Sequence, residues 1–205
     1  MRVPFLLLVG CVCFSACKPR AGDAEVRALA APEERLRKYW QLPEFALQDH
    51  NSVAFASSQM KGKLWIVDFF YSSCPGPCPM LSSRLSGIHK QFKDEPRVGF
   101  LSVSSDPEKD TPEVLAVYAK KFGVDNRWFF LTGPKQSVYR LANEGFKLSL
   151  QEVVGAPEPI SHSTRLALVD QDGWVRGFYE GVGDESEKAT LRLMEDIRQL
   201  LNQLK

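Results

Sequence analysis

The sequence has no apolar run long enough to cross a bilayer as a helix, which takes about 20 residues. Its longest candidate, Val3 to Phe14, falls short and reads as a targeting segment rather than a span. A surplus of one charge is also missing: 26 Lys and Arg stand against 25 Asp and Glu, for a net +1. That excludes a polycation built for nucleic acid and an acidic tail. Internal repeats are absent, and histidine is scarce, with three in 205 residues. Cysteine is scarcer than its count of five suggests, because Cys11, Cys13 and Cys17 all lie at the N-terminus. A disulfide scaffold would use more cysteines, spread farther apart. Apolar and aromatic content is that of an ordinary folded globule.

The N-terminus is an export signal. Arg2 supplies a minimal positive region, Val3 to Phe14 the apolar core, and Ser15-Ala16 the small residues before Cys17. Phe14-Ser15-Ala16-Cys17 resembles the lipobox of bacterial lipoproteins, in which the cysteine becomes the lipidated first residue. Leu8-Val9-Gly10-Cys11 has suitable residue types but too short an apolar region before it. An ordinary signal peptide or an uncleaved anchor would leave Cys17 an incidental thiol. All these readings export the domain, and the lipobox places it on the periplasmic side of a bacterial membrane, held by a lipid anchor. The expected organisation is residues 1–17 as signal peptide with lipobox, 18–38 as tether, and 39–205 as the folded domain.

With the leader set aside, the exported part keeps only Cys74 and Cys78. They stand in Phe70-Tyr71-Ser72-Ser73-Cys74-Pro75-Gly76-Pro77-Cys78-Pro79, after the apolar run Leu64 to Tyr71, which reads as a buried strand. Leu81, Leu85, Ile88 and Phe92 then mark one face of a helix running to about Lys93. Val98–Ser104 and Trp128–Leu131 predict further strands. Thr111 or Asp110 caps a helix carrying Val114, Leu115, Tyr118 and Phe122, with Gly123 ending it. Thr132-Gly133-Pro134 starts another helix, to about Ala142. Before the first cysteine, Phe45–Leu47 and Val53–Phe55 form a hairpin around Asp49-His50-Asn51. Later, Phe146–Leu148 reads as a short strand and Gln151–Ser163 as a loop. Arg165–Asp170 and Trp174–Tyr179 form a hairpin, and Glu185–Leu204 a closing helix. Strand–helix alternation followed by a hairpin and helix gives α/β class: a thioredoxin-like three-layer α/β/α sandwich with a central mixed sheet.

Two cysteines four residues apart at a helix start have side chains close enough to share a metal ion or to form a disulfide. A helix N-terminus favours thiolate, which serves both chemistries. The candidate for a third donor is His162, in the loop before a core strand that passes beside the thiol pair in thioredoxin-like folds; the alternative is a hydrogen-bonded loop residue with no metal role. A thioredoxin-type oxidoreductase has a cis-proline there. Two thiolates and an imidazole suit Cu(I) and also hold Cu(II). His50, in a polar turn, reads as solvated, and His89 as a surface residue near a helix end. Asp106, Glu108, Lys109 and Asp110 form a charged loop, either a solvated helix start or a docking loop for a partner.

These stretches resemble the SCO/SenC copper proteins. The resemblance is carried by Gly62-Lys63 and its strand, Cys74-Pro75-Gly76-Pro77-Cys78-Pro79, Ser104 to Pro112, Leu131-Thr132-Gly133, His162-Ser163 and Leu168 to Gly173. It implies a membrane-tethered domain that binds one copper ion through Cys74, Cys78 and His162. It further implies a role in maturing the binuclear copper centre of cytochrome c oxidase, with that centre's subunit as partner. Another copper chaperone or a thioredoxin-like reductant would be further partners. Gly76, Pro77 and Ser161 depart from the family pattern, in which acidic or bulkier residues often stand. A partner-specific thiol–disulfide oxidoreductase, with Cys74 attacking and Cys78 resolving, is the competing reading. A peroxidase is disfavoured by Tyr71, where Thr or Ser usually precedes the reactive cysteine. A purely structural disulfide would close too short a loop to gain much.

Overall fold

The computed structural model describes residues 36–153, 155 and 160–204. The leader, Cys17 and most of the tether lie outside the described residues. The compact unit Pro32–Lys205 carries all the elements below.

In chain order these are β1 (Ala46–Asp49), β2 (Ala54–Ala56), a 3₁₀ turn (Ser57–Met60), β3 (Leu64–Phe70), α1 (Pro77–Gln91), β4 (Val98–Ser104), α2 (Pro112–Lys120), β5 (Trp128–Thr132), α3 (Lys135–Arg140), a π turn (Leu141–Gly145), β6 (Leu150–Glu152), β7 (Ile160–His162), β8 (Arg165–Val169), β9 (Val175–Glu180) and α4 (Ser186–Gln203). The main sheet has seven strands in the order β2-β1-β5-β4-β3-β8-β9. β3, β4 and β5 run parallel, while β1, β8 and β9 add antiparallel pairings. This is the mixed sheet expected.

β3 sits inside the sheet, and all seven of its residues are buried. A strand covered on both faces loses the polar alternation of a half-exposed strand and reads as a continuous apolar run. Its side chains still alternate between faces. Phe70 points toward α2, its ring centroid 5.1 Å from that of Tyr118. Phe69 points the other way, against Phe146 just after the π turn. Trp65 shares that second face with Phe55 and Phe129. Across the register Trp65 lies opposite Gly99, where any Cβ would overlap the indole. The helix α2 therefore covers one face of β3, and the residues around the π turn pack on the other.

Several boundaries differ from expectation. The strands of the first hairpin each begin one residue later than expected, and β1 runs on to Asp49, whose side chain organises the turn. Its Oδ1 accepts from the Asn51 and Val53 amides at 2.8 and 2.9 Å. Phe146–Leu148 forms no strand: Lys147 has φ +56°, which ends regular structure there. A strand instead occupies Leu150–Glu152 and pairs with Ile160–His162, within the stretch read as loop. Both strands have three residues, too short to show a periodicity. The packed body also reaches into the expected tether. Leu36 is buried, and its carbonyl accepts from the Arg176 guanidinium, which also pairs with buried Asp170 at 2.8 Å.

Candidate metal centre

β3 ends at Phe70, and the next four residues carry the chain to Cys74. Asp110 fixes this loop. Its carboxylate accepts from the Ser72 amide at 3.0 Å, from the Ser72 hydroxyl, and from the Ser104 hydroxyl at 2.6 Å. Asp110 is 1% exposed, so these donors take the place of water. The charged loop is therefore not a solvated helix start. Asp106 is also buried and pairs with Lys109, while exposed Glu108 reaches Lys135. Thr111 caps α2 by accepting from the Val114 amide, as expected. The role of Asp110 was not legible as a motif, because its three donors come from two separate segments.

α1 begins at Pro77, where a missing N–H costs nothing because that amide would have no helical partner. Cys78 follows within the first turn. Both cysteines are free and buried. The Cys78 thiol is held well above the usual thiol range, first by burial and second by a hydrogen bond with the Cys74 side chain. This corrects the expectation that the helix N-terminus would favour thiolate. Desolvation of the charge outweighs the helix dipole when the sulfur is fully enclosed.

His162 ends β7, in a two-stranded ribbon separate from the main sheet. Asn143 clamps this ribbon by bonding both the amide and the carbonyl of Leu150, directly opposite His162. The His162 ring lies edge-on to Tyr71, with centroids 5.7 Å apart. Nδ1 is 3.0 Å from the Ser163 carbonyl, and Nε2 is 3.3 Å from Cys78 Sγ. A carbonyl only accepts, so Nδ1 carries the hydrogen and Nε2 turns its lone pair toward the sulfur. The structure thus joins Cys74 to Cys78 and Cys78 to His162. Among the described residues, no three His, Cys, Asp or Glu side chains form a finished metal cage. A shared ion would have to draw the two pairs together.

The other two histidines are elsewhere. His50 is half-buried rather than solvated. Its Nδ1 accepts from the Phe130 amide, and burial lowers its pKa. His89 corrects the surface reading: it is 5% exposed, against Phe100 and Trp128, with Nε2 2.9 Å from Asp125. It lies four residues after Leu85, on the apolar face of α1, and the imidazole packs there as a flat ring.

Asp68 was not singled out from the sequence. It lies on β3, fully buried. Oδ1 accepts from Ser102 at 2.6 Å, and Oδ2 has no hydrogen-bond partner. Burial raises its pKa to about 7, against which the Ser102 bond acts. A carboxyl whose folded pKa exceeds its unfolded value binds its proton more tightly when folded. Stability is therefore lost as pH rises from about 4 through about 7. Asp68→Asn removes this dependence. Between pH 5 and 8 the wild type should lose on the order of 2–3 kcal/mol relative to the variant, measured by urea denaturation. Parallel stability curves would show that Asp68 does not titrate in this range.

The SCO1/SenC family profile matches residues 34–202. The chain belongs to the SCO1/SenC family. It is 30% identical to the SCO1 protein homolog of Bacillus subtilis over 146 residues, which are 70% of this chain and 75% of the relative. It is 29% identical to a Stutzerimonas stutzeri protein named for copper binding, covering 75% of this chain and 73% of that one. Among solved structures, a SCO1/SenC family lipoprotein from Bacillus anthracis aligns with a TM-score of 0.72 at 27% identity, over 79% of this chain and 95% of that one. BsSco, described as a Sco-family cytochrome c oxidase assembly protein with a disulfide switch, aligns at TM-score 0.67 and 26% identity, over 80% and 94%. The thioredoxin-like fold expected from the element order is the fold of these SCO1/SenC proteins.

Proposed function

We propose that this SCO1/SenC protein carries one copper ion on Cys74, Cys78 and His162 and supplies it to the binuclear copper centre of cytochrome c oxidase. The observation that carries the reading is the 3.3 Å approach of His162 Nε2 to Cys78 Sγ from a separate ribbon. Two sulfurs and a neutral imidazole form a donor set suited to copper. On taking the ion, each thiol gives up its proton to solvent. Burial holds the Cys78 thiol protonated in the free protein, yet coordination deprotonates a thiol outright, so the ion itself would draw Cys78 into the site. The Ser163 carbonyl orients the imidazole, and Asp110 holds the cysteine loop. The related lipoprotein supports export, with Cys17 as the lipid anchor of a periplasmic, membrane-tethered carrier. Among the described residues no helix is long and apolar enough to cross a membrane.

A second reading is a partner-specific thiol–disulfide oxidoreductase that keeps the oxidase's copper-site cysteines reduced. It is favoured by two free, hydrogen-bonded thiols and by the disulfide switch of BsSco. Titration with Cu(I) against a competing chelator separates the two. The carrier reading expects one ion per chain in the wild type and loss of high-affinity binding in both Cys74→Ser and Cys78→Ser. Retention of that binding in either variant would refute the ligand set. In a strain lacking the protein, oxidase activity restored by added copper would support delivery. Restoration by a thiol reductant alone would support the second reading.

A further inference from the structure

A groove of about 670 Å³ lies between α1 and α4 and starts at the turn of helix that holds Cys78. The sequence contains four methionines. Met1 opens the chain, and Met60 is in the core at 3% exposure. The other two, Met80 on α1 and Met194 on α4, both line this groove. Met80 stands two residues after Cys78 and is 60% exposed, more than any other large apolar side chain on α1. No His, Cys, Asp or Glu is among the groove's lining residues, so its only soft donors are the two thioethers. Arg84 also lines it, but its guanidinium is committed to the Gly181 carbonyl and the Ser186 and Thr190 hydroxyls.

We propose that Met80 and Met194 form a second, transient metal site for a soft monovalent cation of the Cu(I) class, on its way to or from Cys78. The proposal rests on the reading of Cys78 as a copper ligand. Neutral thioethers select soft cations and leave hard divalent ions alone. They hold them less tightly than thiolates, so passage onto Cys78 is downhill. The unbranched methionine side chain has the rotatable bonds to follow the ion. In the exchange a copper–thioether bond breaks as a copper–thiolate bond forms. The Cys78 proton leaves to water, and no electron is transferred.

The test uses the full chain labelled with ¹³C at the methionine methyls, with Ag(I) as a diamagnetic probe of the Cu(I) class. In a Cys74→Ser/Cys78→Ser variant, Ag(I) should shift the Met80 and Met194 methyl signals together, leave Met60 unmoved, and be unmatched by Zn(II). Met80→Leu, which conserves side-chain volume, should abolish the shift at Met194. In the wild-type cysteine background the same substitution should slow copper uptake from a Cu(I) chelate severalfold and leave the final stoichiometry at one. Methyl signals that ignore Ag(I), or that move independently of each other, would overturn the groove site while leaving the carrier function standing. Methyl shifts alongside copper loading that is indifferent to both cysteines would overturn the carrier site and leave the groove as a soft-metal site.

Discussion

Replacing His162 with alanine is expected to lower copper affinity at least about 100-fold, or ~2.7 kcal/mol, and to leave the thermal stability of the domain nearly unchanged. His162 is held in place by the β6–β7 ribbon, by its Nδ1 bond to the Ser163 carbonyl and by the edge contact with Tyr71. Removing the imidazole takes away Nε2, the one nitrogen facing Cys78, without emptying the core. The two thiols would still capture an ion, but with an open coordination position that water or a chelator fills. A competition titration measures the loss, and the absorption spectrum of the Cu(II) form reports the changed donor set. Wild-type affinity in His162→Ala would eliminate the three-donor site. Under the oxidoreductase reading the same variant should keep the reduction potential of the Cys74–Cys78 pair, so potential and affinity together separate metal from redox work.

Asp110→Ala should destabilise the domain by about 3–4 kcal/mol, a fall in Tm on the order of 10 °C for a chain of this size. The substitution strands three donors at once: the part-buried Ser72 amide and hydroxyl and the buried Ser104 hydroxyl. Bonds to a carboxylate are the stronger kind, and the Ser104 hydroxyl has no water to turn to when its acceptor is removed. Asp110→Asn keeps a carbonyl oxygen and should recover part of the loss. Because Ser72 lies two residues before Cys74, the alanine variant should also weaken copper binding at temperatures where it remains folded. Calorimetry with a chelator titration below the transition checks both. A stability change under 1 kcal/mol would show that the loop is anchored by something other than Asp110.

Strong local signals carried much of the fold. β3 was legible because seven consecutive buried residues, all apolar except Asp68, leave a run that few other structures produce. α1 and α4 were legible from apolar spacing, and the Asp170–Trp174 turn from its Asp and Gly chemistry, which the bonds from the Asp172 and Trp174 amides to Asp170 match. The β6–β7 ribbon was not legible. Its strands have three residues each, its outer faces are polar, and its pairing joins positions ten or so residues apart with no turn signature that fixes the register. His89 was misread because periodicity counts imidazole as polar, whereas packing against Phe100 and Trp128 with Asp125 alongside makes burial favourable.

Residue order alone established that the chain beyond residue 17 holds a single pair of cysteines on a strand-to-helix turn, and that one histidine stands before a core strand. Those facts follow from residue type and order. The state and surroundings of that pair emerge with folding. Burial beneath the loop raises the Cys78 pKa, which no spacing rule contains, because desolvation depends on what folds over the sulfur. The orientation of His162, with Nδ1 on a carbonyl and Nε2 toward Cys78, is a product of the ribbon that carries it. The Asp110 anchor and the buried Asp68 likewise belong to the fold, since each acts through groups that are near in space and distant in the chain.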